Sequence, residues 1–197
     1  MKKILALMGS PRKGKNTDVL LGYLLDGINK EEYEIKKINL IDKKINHCTG
    51  CDYCGHVEGC VEKDDMYEIY EGFDTSDIII LAAPIYFNSI NGLTKNMIDR
   101  CQRYWSLKYT LGKKYKNTED RIGIFLAVGG APFAFEQFSG SIPVVDYFFK
   151  AINVTYKGNY FVSNTDNLSV AERPEIRKEL YEIGRNIENI TDFYIQK

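Results

Sequence analysis

Residues 4–21, ILALMGSPRKGKNTDVLL, decide the fold of this chain. The first five form an apolar run without alternation, which favours a strand that is covered on both faces. Residues 9–15 then combine two glycines, a proline, a serine and three cations, and apolar residues at helical spacing begin at Val19. The stretch therefore predicts a buried strand, a tight turn and the start of a helix.

The junction between this strand and this helix predicts an anion-binding site. A helix that begins directly after a strand exposes unpaired backbone N–H groups at the positive end of its dipole. Ser10 and Thr17 add hydroxyl donors, and Asn16 adds an amide. Arg12 and Lys15 add positive charge, and the guanidinium fork suits phosphate oxygens. We interpret the loop as a phosphate cradle; the alternative is an ordinary turn with glycine and proline for backbone geometry.

The type of phosphate follows from what this loop lacks. The loop nearly matches the P-loop motif of nucleotide-triphosphate-binding proteins, through Gly9, Gly14 and Lys15. It differs at Asn16, where that motif has a magnesium-binding Ser or Thr. After the later strands only Asp42 offers a weak acidic partner for a metal, and the glycine spacing of a dinucleotide fingerprint is absent. A terminal phosphomonoester needs only N–H and hydroxyl donors around its oxygens, so we expect that ligand.

Length and composition set the class of protein. The chain has 197 residues, 44% hydrophobic and 27% charged, which suits a single α/β domain spanning residues 1–197. A formal net charge of −1 gives no electrostatic case for nucleic acid or a membrane as a partner. The apolar run near Met1 is too short for a signal peptide, so we expect a cytoplasmic protein. For a cytoplasmic protein we expect the five cysteines to be free thiols or metal ligands rather than disulfides.

Five segments are predicted to be strands, at residues 4–8, 33–40, 77–84, 121–128 and 153–162. They alternate with helical patterns, which predicts a doubly wound, five-stranded parallel sheet with right-handed connections. Ligands on such sheets bind at the carboxyl ends of strands. We therefore expect the loops at 10–17, 84–89 and 128–133 to converge on one site. Residues 105–120 are predicted to form an extended loop.

Together these three loops resemble those of the flavodoxin-like NAD(P)H-dependent FMN reductase family. The stretch GSPRKGKNT is similar to the family's FMN-phosphate loop, and APIYFNSINGLTKNMIDR is similar to its flavin-ring loop and the helix after it. The resemblance covers residues 1–135. It implies a flavodoxin-like fold, bound FMN, and NAD(P)H as a possible co-substrate.

The resemblance also implies roles for individual residues. The phosphate would be held by Ser10, Arg12, Asn16 and Thr17, with Lys15 in the same loop. The edge of the flavin ring would be lined by Pro84, Ile85, Tyr86, Phe87 and Asn88. Its pyrimidine side would be approached by Gly129 and Gly130, because N–H groups in a glycine turn can stabilise charge on a reduced ring. Hydride transfer to flavin needs stacking and orientation and no obligatory protein acid or base, so no catalytic side chain is nominated. The alternative for residues 84–89 is a plain proline turn with core aromatics.

A cysteine-rich loop at residues 46–62 is the second strong signal. Cys48, Cys51, Cys54 and Cys60 follow the spacing C-x2-C-x2-C-x5-C. Intervals of two let one loop wrap an iron–sulfur cluster, whereas structural zinc more often uses two separated pairs. The spacing resembles that of the iron–sulfur flavoproteins, a branch of the same family with a [4Fe–4S] cluster. Zinc and free thiols stay open as alternatives. Cys101 lies at helical spacing on an apolar face and is predicted to be a core residue.

The leading interpretation is an FMN-dependent oxidoreductase that moves electrons between a nicotinamide or protein donor and an acceptor. A cluster would split the two-electron chemistry of flavin into one-electron steps. We expect a homodimer or homotetramer, because the flavin face is open, relatives usually complete it with a second subunit, and apolar surface is offered by Tyr86, Phe87, Tyr104 and Trp105. The alternatives are a plain FMN reductase without a cluster, and a P-loop-like nucleotide-binding protein with structural zinc.

Overall fold

The computed structural model describes residues 1–116, 121–134 and 136–197. The strands of this part of the chain are β1 (Lys2–Met8), β2 (Tyr33–Asn39), β3 (Ile78–Tyr86), β4 (Ser89–Ile90), β5 (Ile122–Val128), β6 (Thr155–Val162) and β7 (Phe193–Gln196). The helices are α1 (Asn16–Asp26), α2 (Tyr53–His56), α3 (Met66–Thr75), α4 (Gly92–Arg100), α5 (Gln102–Tyr109), α6 (Ile142–Ala151) and α7 (Pro174–Arg185). None of these helices has the length and apolar character that crossing a lipid bilayer requires.

The strands form a sheet in the order β2-β1-β3-β5-β6-β7, in which all neighbours are parallel. The chain winds outward from β1 in both directions, so the switch point lies between β1 and β3. The carboxyl ends are in register, because Met8 pairs with Ala82, Pro84 with Val128, and Val128 with Val162. The loops that follow these strands therefore leave the same edge of the sheet.

The core lies on both faces of this sheet, as the unalternating apolar strands predict. Leu5 and Leu7 face a cluster that contains the buried side chains of α3, α4, α5 and α6. Ile4, Ala6 and Met8 face the opposite cluster, with those of α1 and α7. The predicted doubly wound parallel architecture is confirmed.

The predicted number of strands is wrong. In the described residues the sheet has seven strands and not five: the six in the order above and β4, which pairs antiparallel with β3. β4 exists because Phe87 and Asn88 reverse the chain at positive φ, so that residues 89–90 pair with the end of β3. β7 is a four-residue segment that adds to the edge of β6. Two residues are too few to show a period, and β7 depends on an edge that only tertiary folding creates.

The extended loop predicted for residues 105–120 is wrong at its start, because residues 105–109 belong to α5. Tyr104 and Leu107 are both buried, and a spacing of three places them on one helix face. Cys101 separates α4 from α5 and lies buried at 2% exposure, which confirms it as a core residue. Residues 117–120 of the predicted loop lie outside the described residues.

Candidate functional site

A cleft of about 340 Å³ opens at the carboxyl edge of the sheet. Four loops supply its lining residues, which are Arg12, Pro84, Ile85, Tyr86, Phe87, Val128, Gly130, Ala131, Thr165 and Asp166. The expected convergence of three loops on one site is confirmed. The fourth loop follows β6 and was missed, although hydroxyl, amide and carboxylate groups in SNTDN directly after a strand were a usable signal.

The loop after β1 begins at Gly9, which three hydrogen bonds hold. Its N–H donates to the carbonyl of Ala82 at 2.7 Å. Its carbonyl accepts from Asn91 Nδ2 at 2.9 Å and from Thr94 Oγ1 at 3.3 Å. A Cβ on Gly9 would lie 2.0 Å from Thr94 Oγ1, so any side chain here would push the loop away from α4.

The predicted phosphate-binding residues surround the first turn of α1. The Oγ of buried Ser10 accepts the N–H of Arg12 at 3.1 Å, and Thr17 is also buried. Lys15 is the N-cap residue of α1, and in the described chain its side chain makes no capping hydrogen bond. The first N–H groups of α1 thus lack a side-chain cap, while the exposed Arg12 lines the cleft. This arrangement suits an anion.

Asn16 has a role that the sequence did not indicate. Its Nδ2 donates to the carbonyl of Thr165 at 3.1 Å, and its Oδ1 accepts the N–H of Val170 at 3.0 Å. The side chain therefore ties α1 to the loop after β6. One amide hydrogen is left for a ligand, so Asn16 positions the cleft at least as much as it offers a donor.

Asp18 closes the loop from the other side. Its Oδ2 accepts the N–H of Gly14 at 2.7 Å, where the backbone takes a φ of 67°, and its Oδ1 pairs with Lys37. Burial alone would raise the pKa of Asp18, but the hydrogen bonds from Lys37 and Gly14 outweigh it and hold the pKa below its ordinary value. Asp18 is therefore ionised at neutral pH, and its charge holds the turn closed.

The β3–β4 hairpin carries the residues predicted for the ring edge. Pro84 is buried, Ile85 is half-buried, and Tyr86, Phe87 and Asn88 are exposed. Phe87 is fully exposed at a φ of 51°, a conformation that bulky residues rarely adopt. An exposed aromatic on strained backbone adds nothing to the core, which makes it a candidate for contact with a ligand or a second chain.

The glycine turn after β5 is joined to the loop after β6. Gly129 donates its N–H to the carbonyl of Val162 at 2.8 Å and accepts the N–H of Thr165 at 3.1 Å. Gly130 accepts the N–H of Asp166 at 3.0 Å, and a Cβ on Gly130 would lie 2.4 Å from the Asp166 carboxylate. The two loops therefore form one rigid wall, which places Asp166 beside the predicted pyrimidine side.

Arg173 supports that wall from behind and was also missed by the sequence reasoning. It is 7% exposed and donates to the carbonyls of Ser163 at 2.9 Å and Leu168 at 3.0 Å. These bonds hold both ends of the loop after β6 against α7, where Arg173 is the N-cap residue.

The four cysteines of the loop at 46–62 line one cavity of about 400 Å³. Cys48 and Cys51 are exposed, Cys54 and Cys60 are half-buried, and all four are free thiols. Cys54 Sγ lies 3.5 Å from Ser106 Oγ. Within residues 1–116, 121–134 and 136–197, no three Cys, His, Asp or Glu side chains are placed to share a metal ion. The donor set suits an iron–sulfur cluster in its chemistry and in its common cavity.

The prediction that Tyr104 is a surface residue is wrong. Tyr104 is fully buried, and its hydroxyl donates to Asp74 at 2.9 Å. Burial raises the pKa of Tyr104 far above its ordinary value. Trp105 is exposed, but it lines a different cavity with Tyr147 between α5 and α6. Of the predicted aromatic surface, Tyr86 and Phe87 are the members at the cleft.

Comparison with known proteins agrees with this geometry. The family described as NADPH-dependent FMN reductase matches residues 2–154. An iron–sulfur flavoprotein of Methanocaldococcus jannaschii is 36% identical over 129 residues, which cover 65% of this chain and 62% of that protein. One from Methanosarcina thermophila is 32% identical over 129 residues, covering 66% and 64%. The matches thus span less than two thirds of these relatives' length.

Solved structures show the same fold. The FMN-dependent NADH-azoreductase of Bacillus anthracis in complex with FMN matches with a TM-score of 0.69 at 16% identity, covering 96% of this chain and all of that one. A flavone reductase matches with a TM-score of 0.69 at 18% identity, covering 95% of this chain and 62% of the other. At these identities the likeness shows the fold alone, and it confirms the predicted flavodoxin-like architecture.

Proposed function

The chain belongs to the NADPH-dependent FMN reductase family, and from that premise we propose that it is an FMN-dependent oxidoreductase. It would pass electrons between a nicotinamide or protein donor and an acceptor, through a [4Fe–4S] cluster. The observation that carries this proposal is the cleft itself. Loops after β1, β3, β5 and β6 meet there at the switch point of the sheet, where flavodoxin-like folds bind FMN.

The residues present fit FMN. The uncapped first turn of α1, the hydroxyls of Ser10 and Thr17 and the exposed Arg12 would bind the phosphate. The strained β3–β4 hairpin would orient the ring edge. The N–H of Gly129 is taken by the carbonyl of Val162, so Gly130 is the glycine of this turn that would offer its backbone N–H to the pyrimidine side. Bound FMN supplies hydride and electron transfer at its ring. No side chain of this chain is assigned as an acid or a base.

The four cysteines would hold the cluster, which supplies one-electron transfer when bound. Support comes from their shared cavity, from their free thiols, and from relatives that are named iron–sulfur flavoproteins. Helix α4 links the two regions, because Thr94 contacts the carbonyl of Gly9 and Arg100 contacts Cys60. Thr94 and Arg100 are six residues apart on α4, which is an axial rise of about 9 Å.

We also propose a homodimer or homotetramer, in which a second subunit covers the flavin face. Phe87 and Tyr86 support this, because both are exposed at the mouth of the cleft. Sedimentation of FMN-loaded protein at micromolar concentration should show at least a dimer. A monomer with FMN bound would contradict this part of the proposal. A cytoplasmic location stays a prediction.

The cofactors are tested by chemical analysis of anaerobically reconstituted protein. Denatured protein should release FMN on chromatography, together with iron and sulfide. FAD as the main species, or no uptake of flavin, would contradict the flavin site. FMN without iron would favour a plain FMN reductase. Stabilisation of a colourless protein by ATP and magnesium would favour the P-loop alternative.

A further inference from the structure

Arg100, the last residue of α4, is a buried cation at the wall of the cysteine cavity. The residue is 2% exposed, and its Nη1 donates to Asp64 Oδ2 at 2.6 Å. A burial this complete is rare for arginine and requires several acceptors around the fork.

Those acceptors come from both ends of the cysteine-rich loop. Nη1 also donates to the carbonyl of Asn46 at 2.9 Å, just before the first cysteine. Nη2 donates to the carbonyl of Glu62 at 3.4 Å, just after the last one. Asp64 in turn accepts the N–H of Asn46 at 2.8 Å. One guanidinium group therefore joins the entry and the exit of the loop.

The same side chain contacts a sulfur. Arg100 Nη2 donates to Cys60 Sγ at 3.4 Å. Its Nε is buried and has no hydrogen-bond partner in the described part of the chain. A buried donor without a partner is costly, so an acceptor bound beside Arg100 would be favourable there. Arg103 lines the same cavity but lies over the rings of Tyr70 and Tyr104.

We propose that Arg100 is a positioning residue for the cluster, which holds Cys60 for ligation and raises the reduction potential of the bound cluster. This inference rests on the proposed cluster at the four cysteines. Four thiolates outweigh the positive charge of an iron–sulfur core, so the site is an anion that becomes more negative on reduction. A buried cation with an N–H···S bond stabilises the reduced form more than the oxidised form.

The experiment compares variants that separate the ion pair from the contact with sulfur. Arg100→Gln alone would leave Asp64 charged and buried, which is strongly destabilising. The informative variant is therefore Arg100→Gln with Asp64→Asn. Its first reference is Asp64→Asn alone, which keeps the Arg100–Cys60 contact and in which the introduced amide oxygen can still accept from the guanidinium. Wild type is the second reference, because Asp64→Asn also removes the ion pair of Arg100. Arg103→Gln is the matched control for loss of charge at the same cavity. Each variant is reconstituted anaerobically, and its iron and FMN contents are measured. The reduction potential of the cluster is then measured by EPR-monitored redox titration.

The expected result is a lower potential, or loss of most of the iron, in the double variant compared with Asp64→Asn, at equal FMN content. Arg103→Gln should change the potential less. Arg100→Lys keeps the charge but not the two-pronged guanidinium group, so it should retain the fold and lose part of the iron. If the double variant does not bind FMN, its fold is in doubt, and Arg100→Lys then tests the role of Arg100.

Equal potentials and iron in the double variant and Asp64→Asn would overturn the inference. So would an equal shift in Arg103→Gln, because a general effect of charge would then suffice. Full iron and an unchanged potential in Arg100→Lys would overturn it too. Wild-type protein that binds FMN but no iron would instead refute the cluster, and the role of Arg100 would fall with it.

Discussion

The cleft at the carboxyl edge of the sheet and the cysteine-rich loop are held together differently. The cleft is made from the ends of buried parallel strands, and backbone hydrogen bonds such as that from Gly9 to Ala82 join its loops to the sheet. Side chains such as Arg173 add to these bonds. The cysteine-rich loop contains one short helix, and side chains such as Arg100 and Asp64 hold its ends. The backbone bonds of the cleft involve the chain alone, so we expect the cleft to be preformed. The thiols share a cavity, but the described residues do not bring three of them together around one point.

This difference predicts how cofactor binding in each region responds to a substitution. A preformed cleft needs little ordering on binding, so a substitution there should weaken cofactor binding by the free energy of the interaction that it removes. A loop that folds fully only around its cofactor couples binding to local folding. Loss of one ligating side chain should then abolish binding of the whole cofactor. Substitutions at four positions test this comparison.

Cys54→Ser should have the largest effect. Serine is a harder and poorer ligand for the cluster than thiolate. Reconstituted wild type should hold about four irons per chain, and the variant should lose most of them at unchanged FMN content. Cys101→Ala is the control, since Cys101 is buried and lines no part of the cysteine cavity. Less than about one iron per chain in reconstituted wild type would remove the cluster from the comparison.

Arg12→Ala should weaken FMN binding by about ten- to a hundredfold, because a charge-assisted hydrogen bond to phosphate contributes about 1.5–3 kcal/mol. Riboflavin, which lacks the phosphate, should bind almost as before. Titration of both ligands by fluorescence measures this. Lys13→Ala is the matched control, because Lys13 pairs with Asp42 at 2.6 Å. Equal loss for FMN and riboflavin would place the effect in folding or in the ring site.

Gly9→Ala tests whether the cleft is preformed. Its Cβ would collide with Thr94 Oγ1, so the apo-protein should lose about 1–3 kcal/mol of unfolding free energy, measured by denaturant titration. Gly22→Ala is the control: nothing lies within 4 Å of its Cβ, and alanine within a helix should stabilise by about 0.5–1 kcal/mol. An unaffected Gly9→Ala apo-protein would show that the loop adapts as freely as the cysteine-rich loop.

The smallest effect is expected from Asp18→Asn, and it depends on pH. The folded-state pKa of Asp18 lies below its unfolded value, so its carboxylate stabilises the fold above the unfolded pKa of about 3.9. That contribution is lost as the pH falls through the folded pKa. The apo-variant should therefore be less stable than wild type at pH 7, and the difference should shrink below about pH 4. A difference independent of pH would show that the charge does not hold the loop.

The sequence by itself determined the local parts of this protein. The strand, turn and helix of residues 4–21, the parallel winding of the sheet and the meeting of three loops followed from hydrophobic period and turn chemistry. The family resemblance could be stated from the same residues. Each strand, turn and helix can be read from the sequence because its signal depends on residues a few positions apart. The winding of the sheet and the meeting of the loops then follow from the order of these elements.

Tertiary structure alone decided the rest, because it depends on contacts between distant residues. Asn16 bonds to Thr165, 149 positions away, and Arg100 bonds to Asn46, 54 positions away, and no local pattern encodes either pair. β7 became a strand because the edge of β6 was available, and Tyr104 became core because α5 turned it toward Asp74. The spacing of the cysteines identified a candidate metal site, and the fold decided which buried cation lies beside it.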